Sequence, residues 1–316
     1  MTELLSGTAK AAPSTRQSPP QGLHRRKKPF KGAAVNFLYL PAVILMAAFT
    51  VYPLIAGIGI SFTNWNGYSA ARDIVGIENY LRLVEDEIFR TALLNTFIYG
   101  VGSTVIQQIL GLAIAVALDR KMRGRSAARA IIYLPVLVSP VIMGTMYYLL
   151  FQYNNGAFND IVVGLGGERV AWLSDANTSI FIIVAVNSLQ FVGISMIIYL
   201  AGLQSIPGMY YEASTLDGAT KAQQFMHITV PLLQPAFATS IVLNLIGGLK
   251  LFDVIQVMTG GGPGYATQSV STLIGKTYFD NQSAGYSAAM GVVLFLIIVV
   301  FTLILNTLLN RRRLEA

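Results

Sequence analysis

The side chains able to act on a ligand sit inside long apolar runs. Asn187, Gln190 and Phe191 recur at i, i+3 and i+4, so a helix would bring two amides and an aromatic ring onto one face. Asn244, Lys250, Phe252 and Asp253 follow in the next apolar run. An amide offers a donor and an acceptor together, which matches hydroxyl groups, and a flat ring offers an apolar face. Polar groups in hydrocarbon are tolerated when they face a cavity or pair with neighbours. The chemistry on offer is passage of a polar ligand. Two plainer readings stay open: the amides could join helices, and Lys250 could simply pair with Asp253.

Bond-making machinery is harder to find. The chain has no cysteine and only His24 and His227, which excludes disulfides, thiolate nucleophiles and thiolate metal sites and argues against a histidine metal cluster. Ser271 to Thr277 ends in Gly275-Lys276-Thr277 like a phosphate-binding loop, but that motif needs glycine at position 270 and Val270 stands there. With no nucleophile–base pair and no carboxylate dyad in an apolar run, catalysis by this chain alone is not expected. His227 is read as facing solvent or a partner.

The elements that must position these groups follow from composition. Of 316 residues, 54% are hydrophobic and only 12% charged, too little polar surface to enclose water-soluble domains. Six runs reach the roughly 20 residues needed to cross a bilayer. They cover Asn36 to Ile60, Thr91 to Leu118, Ala130 to Phe151, Thr178 to Ala201, Pro235 to Val257 and Tyr286 to Leu309. The expected fold is all-α, a polytopic membrane protein with six transmembrane helices.

Of 22 Lys and Arg, 16 lie in the N-terminal tail, the second and fourth connections and the C-terminal end, against 5 in the alternate loops. The positive-inside rule then places both termini in the cytoplasm. Topology accounts for the net charge of +7, and no basic helix alternates with aromatics as nucleic-acid binding would require. Residues 1–31 are rich in Ser, Pro, Gln and basic residues and read as a disordered cytoplasmic tail, with a membrane domain over 32–316.

Between the fourth and fifth runs lies a polar, glycine-broken segment. Ser205 is expected to cap a helix with Pro207 in its first turn, running through Glu212, Ala213 and Leu216. Gly218 would supply the bend and Asp217 would open a second helix from Thr220 to Ile228, ended by Pro231 and Pro235. The product is a compact bent pair suited to docking in a partner's cleft. On the opposite side, Ile77, Leu81, Val84 and Ile88 predict an amphipathic helix on the outer membrane face. Tyr147, Tyr148, Gln152 and Tyr153, and the i+4 stripe Asn95, Tyr99, Ser103, are further candidates for a vestibule.

The bent segment carries a resemblance. Glu212-Ala213-Ser214, three residues, Gly218, nine residues, Ile228, one residue, Val230-Pro231 is similar to the coupling-loop signature of ABC importer permeases, with Ser214 and Val230 in place of the usual Ala and Leu. Tyr39-Leu40-Pro41, Tyr52-Pro53, Gly76 to Tyr80, Asn95-Thr96 and the run Thr259 to Gly264 after Phe252-Asp253 resemble permeases for binding-protein-dependent carbohydrate uptake, the maltose-transporter type.

The resemblance implies a type I importer permease moving a sugar, a di- or oligosaccharide, by alternating access across the cytoplasmic membrane. It implies as partners a second, homologous and different permease, two ATP-binding subunits and an extracytoplasmic sugar-binding protein, besides membrane lipid. Cofactors, ATP and Mg, would sit on the ATPases and none on this chain. Glu212, Ala213, Ser214, Asp217, Gly218, Ile228 and Pro231 would couple to the ATPase, and the amides and rings of the fourth and fifth runs would line the sugar pathway. An ion-coupled transporter using Lys250 and Asp253, and a scaffold without a pathway, are the alternatives.

Overall fold

The computed structural model describes residues 32–120 and 122–310. The tail over 1–31 lies outside the described residues, as does the basic C-terminal end. By backbone contacts the chain divides after Tyr52. The first unit is described from Gly32 and holds helix α1, Gly32–Met46, and a π-helical turn, Ala47–Val51.

Helix α2, Tyr52–Ser61, belongs to the second unit from Pro53 on; it ends at a short crossing of chain with one isolated bridge, Thr63 to Ile74, and among the described residues there is no strand beyond it. Then come α3, Glu78–Glu85, α4, Glu87–Asp119, α5, Arg125–Leu137, α6, Pro140–Leu150, and α7, Ala157–Gly164. A 30-residue α8, Ala176–Ser205, leads into α9, Gly208–Leu216, and α10, Lys221–Gln224. A π-helical turn, Phe225–Thr229, joins α10 to α11, Val230–Leu232. The chain finishes with α12, Gln234–Leu249, α13, Asp253–Met258, α14, Val270–Phe279, and α15, Ala284–Asn310.

Four stretches are single helices long and apolar enough to cross a membrane: Tyr39–Ser61, Glu87–Asp119, Ala176–Ser205 and Ala284–Leu309. The third expected span is broken, α5 and α6 meeting at 96°. Its sequence dictates the break. Pro140 has no N–H to donate, and its ring pushes Ser139 out of the helical region to ψ 133°, while Val138 before it is also extended at ψ 137°. The fifth span also differs from expectation: α12 stops at Leu249, Lys250 to Phe252 are not helical, and α13 resumes at Asp253.

The centre of this unit is the packing of α4 against α8 and α12. Lipid is as apolar as leucine, so close backbone approach and interhelical hydrogen bonds must hold helices together. A Cβ added to Gly248 would lie 2.7 Å from Gly100 Cα, so these two helices cross where only glycine fits. Tyr99, Ile183 and Met196 are fully buried along the same seam.

The stripe Asn95, Tyr99 and Ser103 serves this packing rather than a vestibule. Asn95 Nδ2 donates to the backbone oxygens of Ala266 at 2.7 Å and Gln268 at 3.0 Å, Tyr99 donates to Thr267 O at 2.9 Å, and Ser103 donates to Val184 O at 3.5 Å. The bonds from Asn95 and Tyr99 fix the loop after α13, and that from Ser103 meets α8; the run Thr259 to Gly264 of the loop is a tight internally bonded turn, Thr267 donating back to Gly262 O at 2.7 Å.

The amphipathic segment forms α3, with Asn79 and Leu83 buried and Ile77, Leu81 and Val84 exposed. Asn79 explains the neighbouring sequence, since its Nδ2 donates to Ser61 O at 2.8 Å and Thr63 O at 2.9 Å, fastening α3 to the end of α2. Gly275-Lys276-Thr277 lies inside α14 and forms no phosphate-type loop.

Candidate functional site

The break after Leu249 opens onto a cavity of about 200 Å³ between α4, α8, α12 and the start of α6. Asn187 and Phe191 reach it from α8, Asn244 from α12, Lys250 and Phe252 from the break itself and Asp253 from the first position of α13. Six of the seven expected pathway residues therefore border one space. Gln107 from α4 and Pro140 complete the wall and were not singled out in the sequence. Gln107 continues the spacing of Asn95, Tyr99 and Ser103 by one more step of four, which is the signal that identifies it.

Gln190 is the exception. It is fully buried and donates to Val138 O at 3.2 Å, so it ties α8 to the break before Pro140 and does not border the cavity. A helix face defined by i, i+3 spacing spans a wide arc, and the middle residue here turns toward α5. Asn244 has two tasks: it borders the cavity, and its Nδ2 donates to Ser195 Oγ at 2.6 Å and Ser240 Oγ at 3.3 Å.

Lys250 and Asp253 do not form an ion pair. Much of the backbone around them is nonetheless bonded. Lys250 N donates to Ile246 O and Leu251 N to Gly248 O, each at 3.2 Å, and Ser269 Oγ donates to Leu251 O at 2.8 Å. An unpaired backbone group in hydrocarbon costs several kcal/mol, so non-helical chain survives at membrane depth only when bonded or beside a cavity. Both conditions hold at this break. Tyr148, Gln152 and Tyr153 border a separate recess beside Trp172, while Tyr147 packs on the apolar core.

The bent segment is the second region of interest. Gly218 adopts φ +80°, a conformation that side-chain-bearing residues resist. Around it Gly218 N donates to Thr215 O at 3.1 Å and Ala219 N to Ser214 O at 2.9 Å, the paired reversal that terminates a helix on glycine. Two expectations are corrected here. Ser205 does not open α9: its hydroxyl donates back to Gly202 O at 2.7 Å and closes α8, and Pro207 occupies the capping position. Asp217 does not open the second helix. It ends α9, and Thr220 caps α10 with a reciprocal bond to Gln223.

The second helix ends as expected between Pro231 and Pro235, at Leu232, and α12 leaves it at 64°. A π turn precedes the end and shifts the backbone bonds by one residue, Val230 N reaching Phe225 O. The two arms are sewn together by Gln224, 3% exposed, whose Nε2 donates to Tyr211 O at 3.2 Å, Ser214 Oγ at 2.9 Å and Thr215 Oγ1 at 2.8 Å. Tyr211 and Thr229 add a hydroxyl contact at 2.9 Å. Ser214, Asp217, Gly218 and Ile228 border a recess of about 330 Å³ in the bend, together with His227. Glu212 and Ala213 are exposed on its flank, and Pro231 stands apart from it. Leu216, Met209 and Met226 are exposed on the same elbow.

Comparison with known proteins follows the same pattern. The family described as "Binding-protein-dependent transport system inner membrane component" matches residues 107–315. The chain is 34% identical over 294 residues to the probable starch degradation products transport system permease protein AmyD of Thermoanaerobacterium thermosulfurigenes, covering 92% of this chain and 99% of that one. It is 32% identical over 279 residues to the trehalose/maltose transport system permease protein MalF of Thermococcus litoralis, covering 88% and 94%. A chain in the crystal structure of a bacterial ABC transporter involved in the import of the acidic polysaccharide alginate superposes with a TM-score of 0.77 at 24% identity, over 88% of this chain and 96% of that one, a likeness of fold.

Proposed function

Because the chain belongs to the family of binding-protein-dependent transport system inner membrane components, a multi-pass membrane permease, we propose that it carries a saccharide, a di- or oligosaccharide, inward as one subunit of an ATP-driven importer. The observation that carries the substrate class is the helix break over a cavity walled by Asn187, Asn244, Phe191 and Phe252, amides and rings suited to hydroxyls and sugar faces. Relatives named for starch products and for trehalose and maltose support the same class.

In this reading both termini and the elbow face the cytoplasm, as the distribution of Lys and Arg favours. The elbow, with Glu212, Ala213, Ser214, Asp217, Gly218, Ile228 and Pro231, docks on an ATP-binding subunit. Its exposed Leu216, Met209 and Met226 supply apolar contact area. Two such ATPases, holding ATP and Mg, close and open. Each carries its elbow as a rigid lever, and the tilt of α8 and α12 turns the cavity from one side of the membrane to the other. A second, different permease completes the passage, and an extracytoplasmic sugar-binding protein delivers the ligand.

The test is purification of the tagged chain in mild detergent, identification of the subunits that accompany it, and reconstitution of that assembly for uptake of labelled malto-, xylo- and arabino-oligosaccharides. Co-purification of an ATPase and a second permease, with ATP-dependent uptake of a panel member, is the expected result. An assembly without an ATPase, or uptake that ignores ATP and follows the proton gradient, would overturn it.

A further inference from the structure

Gln107 stands in the cavity wall, a residue only 2% exposed. Its Nε2 donates to Asn187 O at 3.2 Å, and because a carbonyl oxygen must be met by N–H, this bond fixes the orientation of the amide. The other end, Oε1, is buried and has no hydrogen-bond partner. Among the described residues six buried side-chain atoms share that condition, and only this one belongs to a residue bordering the cavity. Gln190, similarly short of a partner at Oε1, is turned to Val138 instead.

A buried acceptor without a donor is unfavourable, and the strain is relieved when a donor arrives. The neighbouring polar groups do not supply one: Asn244 Nδ2 is engaged with Ser195, and the Gln107 N–H end is held by α8. Resting on the saccharide reading above, we infer that Gln107 contacts the ligand and helps select it, its Oε1 accepting a hydrogen bond from one hydroxyl of a neutral saccharide in the cavity. Asn187 and Gln107 then act as a unit, since the amide of one is aligned by the backbone of the other.

The test uses the reconstituted assembly and the panel saccharide that it transports, compared with the monodeoxy derivatives of that saccharide. In the native protein, loss of one particular hydroxyl lowers uptake by about tenfold, the worth of an ordinary buried hydrogen bond. Gln107→Leu lowers uptake of the parent saccharide by a similar factor and erases discrimination against that one derivative, leaving the others unchanged. Gln107→Asn, which keeps an amide but withdraws it by one methylene, does the same should the leucine variant fail to assemble. Unaltered uptake, or unaltered discrimination at every hydroxyl in both variants, overturns the assignment. Absence of uptake of any panel member by the native assembly is a different failure, of the transport reading itself, and removes this inference with it.

Discussion

At the elbow, the chain closes its own break. Gly218 reverses the backbone, Thr220 caps the next helix, and Gln224 distributes its amide hydrogens over three acceptors of α9. At Lys250 to Phe252 the backbone is bonded, but the side chains are not: Lys250 and Asp253 stay apart, and Gln107 across the cavity keeps an unmatched oxygen. An elbow stitched by these bonds is suited to move as one body, and a buried oxygen left unmatched is suited to meet a ligand. Under the proposed function the first region transmits force and the second recognises the saccharide.

The largest effect should come from removing the scaffold that holds both. Gly248→Leu places a side chain against Gly100 at the crossing of α4 and α12, and overpacking of this kind costs roughly 1–3 kcal/mol or more. The variant should lose the detergent-stable assembly and unfold at lower temperature; retention of both would show that the crossing is not tight.

Next come two changes confined to the elbow. Gln224→Ala removes the stitch between the arms and leaves acceptors unmet, about 1–3 kcal/mol locally. Gly218→Val forces a β-branched residue to φ +80°, of the order of 1–3 kcal/mol of strain. Both should lower uptake while ATP hydrolysis continues, raising the ATP consumed per saccharide moved, and neither should alter which saccharide is preferred. A change in preference with unchanged stoichiometry would dissolve the contrast between the regions.

The smallest effect is expected outside both. Asp175 caps α8, and hydrogen bonds from the backbone and then the hydroxyl of Thr178 hold its carboxyl below the ordinary carboxylate range. A depressed folded value means that the cap is present at neutral pH and lost as pH falls through it. The protection of the Thr178 amide, its exchange rate referred to the intrinsic rate at the same pH, should fall in acid for the native chain and already at neutral pH for Asp175→Ala, with neutral-pH uptake unchanged by the substitution.

Much of this was legible in the sequence because hydrophobic length and glycine stereochemistry are local. The apolar runs gave the spans, and Gly218 marked the bend, since few other residues accept its φ. Hydroxyl and proline signals misled because each has two local outcomes. Ser205 could cap forward or bond backward to Gly202, and the helix ran on far enough for the second. Pro207 could sit in the first turn of α9 or stand before it, and it occupies the capping position. The roles of Gln107, Gln190 and Asn95 depend on partners far away in sequence, such as Asn187, Val138 and Ala266, which no spacing rule supplies.

The absence of cysteine from the chain makes the central claim directly measurable. Phe252→Cys puts a single thiol at the helix break, and its reaction with a membrane-impermeant reagent can be followed in the reconstituted assembly with and without ATP. The account predicts that the side from which the thiol is labelled switches with nucleotide, and that the transported saccharide slows labelling. Labelling at one rate from one side in every state, indifferent to saccharide, would contradict it.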